Sequence, residues 1–123
     1  MKLKLQFLKS ILSLFLLFTF SFNKTFAQAY DIILGRPTDT SITASVMTYQ
    51  NAEVILEYGT QPSNYTTSSP AFNLLTKMPN DITLNNLNSN TKYFYRLKYK
   101  NNGASAYSFS PEYSFQKIGR AHV

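Results

Sequence analysis

Residues 87–100 read LNSNTKYFYRLKYK and carry the longest alternating pattern in the chain. One side of the alternation is aromatic and apolar and consists of Tyr93, Tyr95, Leu97 and Tyr99. The other side is mostly basic and consists of Phe94, Arg96, Lys98 and Lys100. A period of two is typical of a strand with one buried face, so the pattern predicts a β-strand over residues 91–100. The Asn-Asn-Gly sequence that follows predicts a tight turn.

Six shorter segments show alternation or lie between turn residues, and each is predicted to form a strand. They are residues 31–34, 41–48, 53–58, 66–68, 81–84 and 112–116. Two of them have a clear inward side, formed by Ile42, Ala44 and Val46 in one and by Val54, Leu56 and Tyr58 in the other. Seven short strands separated by Pro, Gly and Asn predict an all-β, immunoglobulin-like sandwich of seven strands.

The connection over residues 69–79 has no clear period, so no strand is predicted there. Its larger apolar side chains are Phe72, Leu74, Leu75 and Met78. We expect these side chains either to cover the edge of the sandwich or to pack against a following domain, and the pattern leaves both uses open.

The amino-terminal segment has the order of a secretory signal. Three lysines precede an apolar run over residues 10–22, and small residues follow at Ala27 and Ala29. Polar residues interrupt the run, which favours a cleavable leader over a membrane anchor. We therefore expect residues 1–27 to be a signal peptide, the mature chain to begin at Gln28, and the protein to be exported to the periplasm or outside a bacterial cell.

The net charge of +6 is concentrated outside the predicted domain. Residues 28–117 hold seven basic and six acidic side chains, a net charge of +1. A nearly neutral domain gives no electrostatic reason to bind nucleic acid or a membrane surface. The basic side of residues 91–100 is therefore interpreted as a solvated face behind a tyrosine core, and the domain is expected to be a monomer.

The last six residues, 118–123, match the in-frame translation of a widely used sequencing adapter. We expect them to be an adapter-derived or disordered tail, and the natural protein to continue beyond the domain at residues 28–117.

The residue inventory predicts no catalytic, cofactor-binding or metal-binding site. The chain has no cysteine, and its single histidine, His122, lies in the tail. Six acidic residues stand singly, so neither a metal centre nor a Ser-His-Asp or Cys-His arrangement can be assembled. The absence of cysteine also means that the domain has no disulfide to stabilise it.

The segment from Leu87 to Tyr93 resembles the tyrosine corner of fibronectin type III domains. In that family a leucine and a tyrosine six residues apart hold the crossover between the two sheets. The resemblance implies that Leu87 and Tyr93 form the corner and that Val46 occupies the position of a buried tryptophan. The structural residues of the domain are therefore expected to be Tyr93, Leu87, Val46, Leu56 and Tyr58.

A more specific resemblance covers nearly the whole mature segment. Four segments are similar to the amino-terminal domain of purple acid phosphatase-like metallophosphoesterases. They are residues 33–43, the Glu-Tyr-Gly-Thr-Gln-Pro step at 57–62 with Tyr65, residues 91–97 and residues 110–115. The resemblance implies a non-catalytic accessory domain. It also implies a partner, the catalytic domain that follows in the same chain and uses two metal ions. An alternative is a fibronectin-like adhesion module of a bacterial cell-surface protein.

Overall fold

The long alternating segment forms the longest strand of the protein, and it lies in the middle of the larger of two sheets. The computed structural model describes residues 28–119. The predicted signal peptide and residues 120–123 of the predicted tail lie outside the described residues. The strands are β1 (Tyr30–Gly35), β2 (Ile42–Thr48), β3 (Ala52–Gly59), β4 (Thr67–Ser68), β5 (Phe72–Leu74), β6 (Asn80–Leu84), β7 (Thr91–Asn101), β8 (Ser108–Phe109) and β9 (Tyr113–Lys117).

Two antiparallel sheets face each other. The smaller has the order β1-β2-β6, and the larger has the order β4-β3-β7-β8, with β5 also paired to β3 and β9 to β7. Because β4 and β5 pair with successive parts of β3, and β8 and β9 with successive parts of β7, nine segments fill seven strand positions. The predicted all-β, seven-stranded sandwich is confirmed.

Both outer strands of the larger sheet are interrupted by a Ser-Pro step that sequence reasoning missed. Ser69 donates its amide to Leu56 O at 2.8 Å, and its Oγ accepts the Leu56 amide at 2.9 Å. Ser110 makes the same two bonds to Leu97. Its amide donates to Leu97 O at 2.9 Å, and its Oγ accepts the Leu97 amide at 2.8 Å. Proline has no amide hydrogen and ends the ladder there, so each serine hydroxyl completes the hydrogen bonding of the central strand.

Two of the sequence predictions are incomplete because of these Ser-Pro steps. The segments predicted at residues 66–68 and 112–116 are each only part of an edge strand. The connection over residues 69–79 contains a strand, β5, whose Phe72 and Leu74 pack on the core. Two- and three-residue strands are too short to show a period, which is why β5 and β8 were not predicted. Leu75 and Met78 remain exposed, at 61% and 59%.

The core lies between the inward faces of the two sheets. Its most deeply buried apolar side chains are Ala44, Val46, Val54, Leu56, Ile82, Leu84 and Leu97. Leu56 and Leu97 face each other across β3 and β7 and are fully buried. Tyrosine and phenylalanine rings from β1, β7 and β9 extend this core, including a stacked pair formed by Tyr93 and Phe115 with ring centroids 5.4 Å apart.

A tyrosine pair links the two sheets at one side of the core. Tyr30 on β1 and Tyr113 on β9 share a hydrogen bond between their hydroxyls at 2.9 Å. Burial, and then this bond, raise the pKa of Tyr30 from 10.0 to about 12.

The tyrosine pair predicts a loss of stability in alkali. Between pH 10 and pH 12 the unfolded chain ionises Tyr30 while the folded chain keeps the proton. The stabilisation is therefore complete below pH 10 and is lost as the pH rises through 12. Urea midpoints measured from pH 8 upward should fall less steeply for Tyr30→Phe than for the wild type. Identical slopes would show that Tyr30 titrates normally in the folded protein.

Candidate functional site

The structural residues named from the sequence lie in two places. Val46 and Leu56 are fully buried between the sheets, and Tyr58 is half-buried on β3. Leu87 and Tyr93 are 4% and 5% exposed and lie at the end of the sandwich where β6 connects to β7. They contribute packing and hydrogen bonds, and none presents a reactive group to a cavity lined by acids or bases.

Tyr93 holds the connection between the sheets. Its hydroxyl accepts a hydrogen bond from the Asn88 amide at 2.7 Å. The neighbouring Leu87 amide donates to Thr40 O at 2.8 Å, which ties this connection to the one between β1 and β2. The leucine and tyrosine six residues apart thus fix the crossing chain by two buried side chains, one hydrogen bond from a backbone amide to the tyrosine hydroxyl and one backbone–backbone hydrogen bond.

Tyr93→Phe should lower the free energy of unfolding by about 1 to 2 kcal/mol, because the Asn88 amide loses its acceptor. Tyr95→Phe is the matched control, since Tyr95 is also buried on β7 but lies outside the corner. Urea unfolding of the three proteins measures the effect. Equal midpoints for wild type and Tyr93→Phe would show that the corner bond contributes nothing.

Three of the four segments that carry the family resemblance contribute residues to the outer face of the larger sheet, whereas residues 33–43 lie in the smaller sheet. Arg96 on β7 donates from Nε to Glu57 on β3 at 2.7 Å. Its guanidinium lies over the Tyr65 ring at 4.5 Å and over the Phe109 ring at 4.1 Å. Glu112 then accepts from the Tyr65 hydroxyl at 2.5 Å. We call these five residues the Arg96 network.

The Arg96 network is electrostatically matched. Glu112 accepts the Tyr65 hydroxyl and also the Ser63 amide at 2.7 Å, and these two bonds lower the pKa of its carboxyl. Burial and the bond to Glu112 raise the pKa of Tyr65. Both shifts favour a charged Glu112 carboxylate beside a neutral Tyr65 phenol, and the Arg96 guanidinium lies over two rings. The network therefore holds the loop between β3 and β4 against β8 and against the segment that joins β8 to β9.

Gly59 allows that loop to approach the sheet. A Cβ atom at this position would lie 2.2 Å from the backbone oxygen of Asn64. Asn64 also donates its amide to Gln61 O at 3.3 Å, so the loop turns back closely on itself. The glycine of the Tyr-Gly-Thr-x-Pro step is needed for this close approach.

The basic side chains on the outer face of β7 are exposed or half-buried, and they also lie over aromatic rings. Lys98 and Lys100 lie over the Tyr107 ring at 4.5 and 4.9 Å, and Lys92 lies over Phe94 at 5.4 Å. The side chain of Arg96 is only 31% exposed. Tyr65 and Tyr107 come from the irregular segments after β3 and β7, and strand periodicity cannot reveal their contacts with the cations. The alternation of basic and aromatic residues along β7 is the sequence feature that could have indicated these cation–ring contacts.

The described part of the chain offers little reactive chemistry. Within residues 28–119 no group of three or more His, Cys, Asp or Glu side chains is placed to hold a metal ion. No helix among these residues is long and apolar enough to cross a membrane. The Arg96 network can position a loop and present a surface, but its acids are already bonded to a guanidinium, a phenol and an amide.

Three comparisons with known proteins bear on this arrangement. A family model described as the N-terminal domain of purple acid phosphatase matches residues 28–117. A solved structure described as a computer-based redesign of a β-sandwich protein is 20% identical, with 79% of this chain and 96% of that chain covered and a TM-score of 0.49. No curated protein matches the chain.

The family match includes all nine strands, the tyrosine corner and the Arg96 network. It also covers well over half of the 123 residues. The chain belongs to the family of purple acid phosphatase N-terminal domains.

Proposed function

We propose that this chain is the non-catalytic, amino-terminal accessory domain of an exported purple acid phosphatase-like metallophosphoesterase. The observation that carries the proposal is the family match over residues 28–117, from before the first strand to the end of the last. The leader pattern at residues 1–27 supports export. The catalytic domain of the same chain, following residue 117, would be the partner.

A two-metal phosphoesterase site does not fit the residues of this domain. Such a site needs several carboxylate, histidine and amide ligands around two ions. Residues 28–117 contain no histidine or cysteine. Their acids are dispersed, and those on the larger sheet bond to other protein groups. Two metal ions, if the parent enzyme uses them, would be held by the domain that follows.

The role proposed for the sandwich is to support or shield the catalytic domain without touching the reacting atoms. Its outer face suits this role, because the Arg96 network and the lysines that lie over aromatic rings form a surface that carries both charges. The carboxyl-terminal strand β9 pairs with β7 over Thr91–Tyr95 and leads the chain out at the end that holds the tyrosine corner.

Sequencing the natural gene past the codon for residue 117 tests the proposal. We expect aspartate, Gly-Asp, Gly-Asn-His and paired-histidine motifs downstream, together encoding a metal-dependent hydrolase. Further sandwich domains or a surface-sorting signal in their place would overturn the proposal and favour the adhesion module.

A further inference from the structure

A cleft lined by both polar and apolar residues lies on the larger sheet at the end opposite the tyrosine corner. Its volume is about 300 Å³, and its floor is a row of three side chains in register across neighbouring strands, Asn73, Glu53 and Lys100. Directly paired residues of antiparallel strands project from the same face. Leu75 forms one wall, and the turn at residues 101–103 forms another.

The chemistry of the cleft is mixed and almost neutral. Glu53 and Lys100 place one negative and one positive charge side by side on the floor. Tyr107 donates its hydroxyl to Glu53, and Lys100 lies over the same ring at 4.9 Å. Four asparagines line the cleft, at positions 51, 73, 101 and 102. Each amide has both donors and acceptors, and Oδ1 of Asn51 already accepts from the amide and hydroxyl of Thr76.

We propose that this cleft binds a neutral sugar residue of a glycan. Adjacent opposite charges disfavour an ion of either sign, and the polar side chains disfavour a wholly apolar ligand. Ala52, Leu74 and Leu75 provide apolar surface for the C–H face of a sugar ring. Sugar hydroxyls both donate and accept, as the surrounding amides do. The volume is at the lower end of the roughly 300–1,000 Å³ of ligand clefts, which suits one or two sugar rings.

The cleft and the point where the chain leaves the domain lie at opposite ends of β7. Lys117 pairs with Thr91 at the start of β7, whereas the cleft adjoins Asn101 at the end of β7. The sugar site therefore consists of residues other than those at the chain exit, and it does not rest on the proposed phosphoesterase function.

NMR titration of the ¹⁵N-labelled exported protein tests the inference. The probes are maltose, cellobiose, lactose and N,N′-diacetylchitobiose. At least one should shift the side-chain amide signals of Asn73, Asn101 and Asn102, with a Kd on the order of 1 mM, since few hydrogen bonds form in a shallow site. No shift with any of the four sugars would overturn the proposal.

Two pairs of variants locate the binding. Glu53→Gln should weaken the affinity about tenfold by replacing a charged acceptor, whereas Glu112→Gln, at the other tyrosine-bonded carboxylate, should leave it unchanged. Asn73→Ala should weaken it similarly, and Asn85→Ala, at the opposite end, should not. Equal effects within either pair would contradict the assignment. So would displacement of the sugar by glycine or inorganic phosphate, which would show a site for ionic ligands.

Discussion

Replacing Gly59 with alanine is expected to destabilise the domain by about 3 kcal/mol, the upper end of the usual cost of overpacking a closely packed site. The added Cβ would lie 2.2 Å from Asn64 O, and this atom belongs to the backbone, so no side-chain rotation can relieve the clash. The loop would have to move away from the sheet. Because that loop carries Ser63 and Tyr65, the hydrogen bonds to Glu112 would weaken with it.

Gly35→Ala is the control for this experiment. No atom lies within 4 Å of a Cβ built on Gly35, so the change should stay within about 0.5 kcal/mol. Urea unfolding followed by tyrosine fluorescence gives both values. If Gly59→Ala and Gly35→Ala have the same midpoint, the close approach of the loop is not required for folding.

Ser110→Ala is expected to lower the free energy of unfolding by about 2 kcal/mol, because it leaves the Leu97 amide without an acceptor in a buried position. Ser110 is 8% exposed, and its Oγ lies 2.8 Å from that amide. Hydrogen exchange of the Leu97 amide should accelerate in the variant, since the amide becomes free to bond to water.

Two further serine variants make this test specific. Ser69→Ala removes the equivalent bond to Leu56, but Ser69 is only partly buried, so its effect should be smaller, about 1 kcal/mol. Ser108→Ala removes an exposed hydroxyl on β8 and should have no effect. The expected loss of stability is therefore largest for Ser110→Ala, smaller for Ser69→Ala and absent for Ser108→Ala. An effect of Ser108→Ala as large as that of Ser110→Ala would refute the role assigned to the Ser-Pro steps.

Alternation predicted the central strands well because burial decides their pattern. In β2, β3 and β7 the inward side is closed by the opposite sheet, so each second residue must be apolar. The edge strands were predicted only in part. Their pairing depends on where proline interrupts the ladder and on serine hydroxyls that replace backbone partners, and neither leaves a periodic signal.

The surface features were the least predictable. Lysine side chains are mostly exposed, yet Lys117 is only 2% exposed. Its ammonium donates to the carbonyls of Thr38 and Ile118. The Arg96 network joins residues far apart in the sequence, among them Arg96 and Glu57, 39 positions apart, and Glu112 and Tyr65, 47 positions apart. Such pairings follow from strand order in the sheet, which a local pattern does not contain. The family resemblance marked several of these residues without giving their contacts.

Phosphatase assay of the exported 123-residue protein tests the central claim most directly. The protein would be incubated with Zn²⁺, Fe³⁺ or Mn²⁺ and p-nitrophenyl phosphate, and metal retained after gel filtration would be measured on the same samples. A non-catalytic accessory domain predicts a rate equal to that of buffer with metal, and no stoichiometric metal. Metal-dependent hydrolysis above that control, eluting with the folded domain, would contradict it.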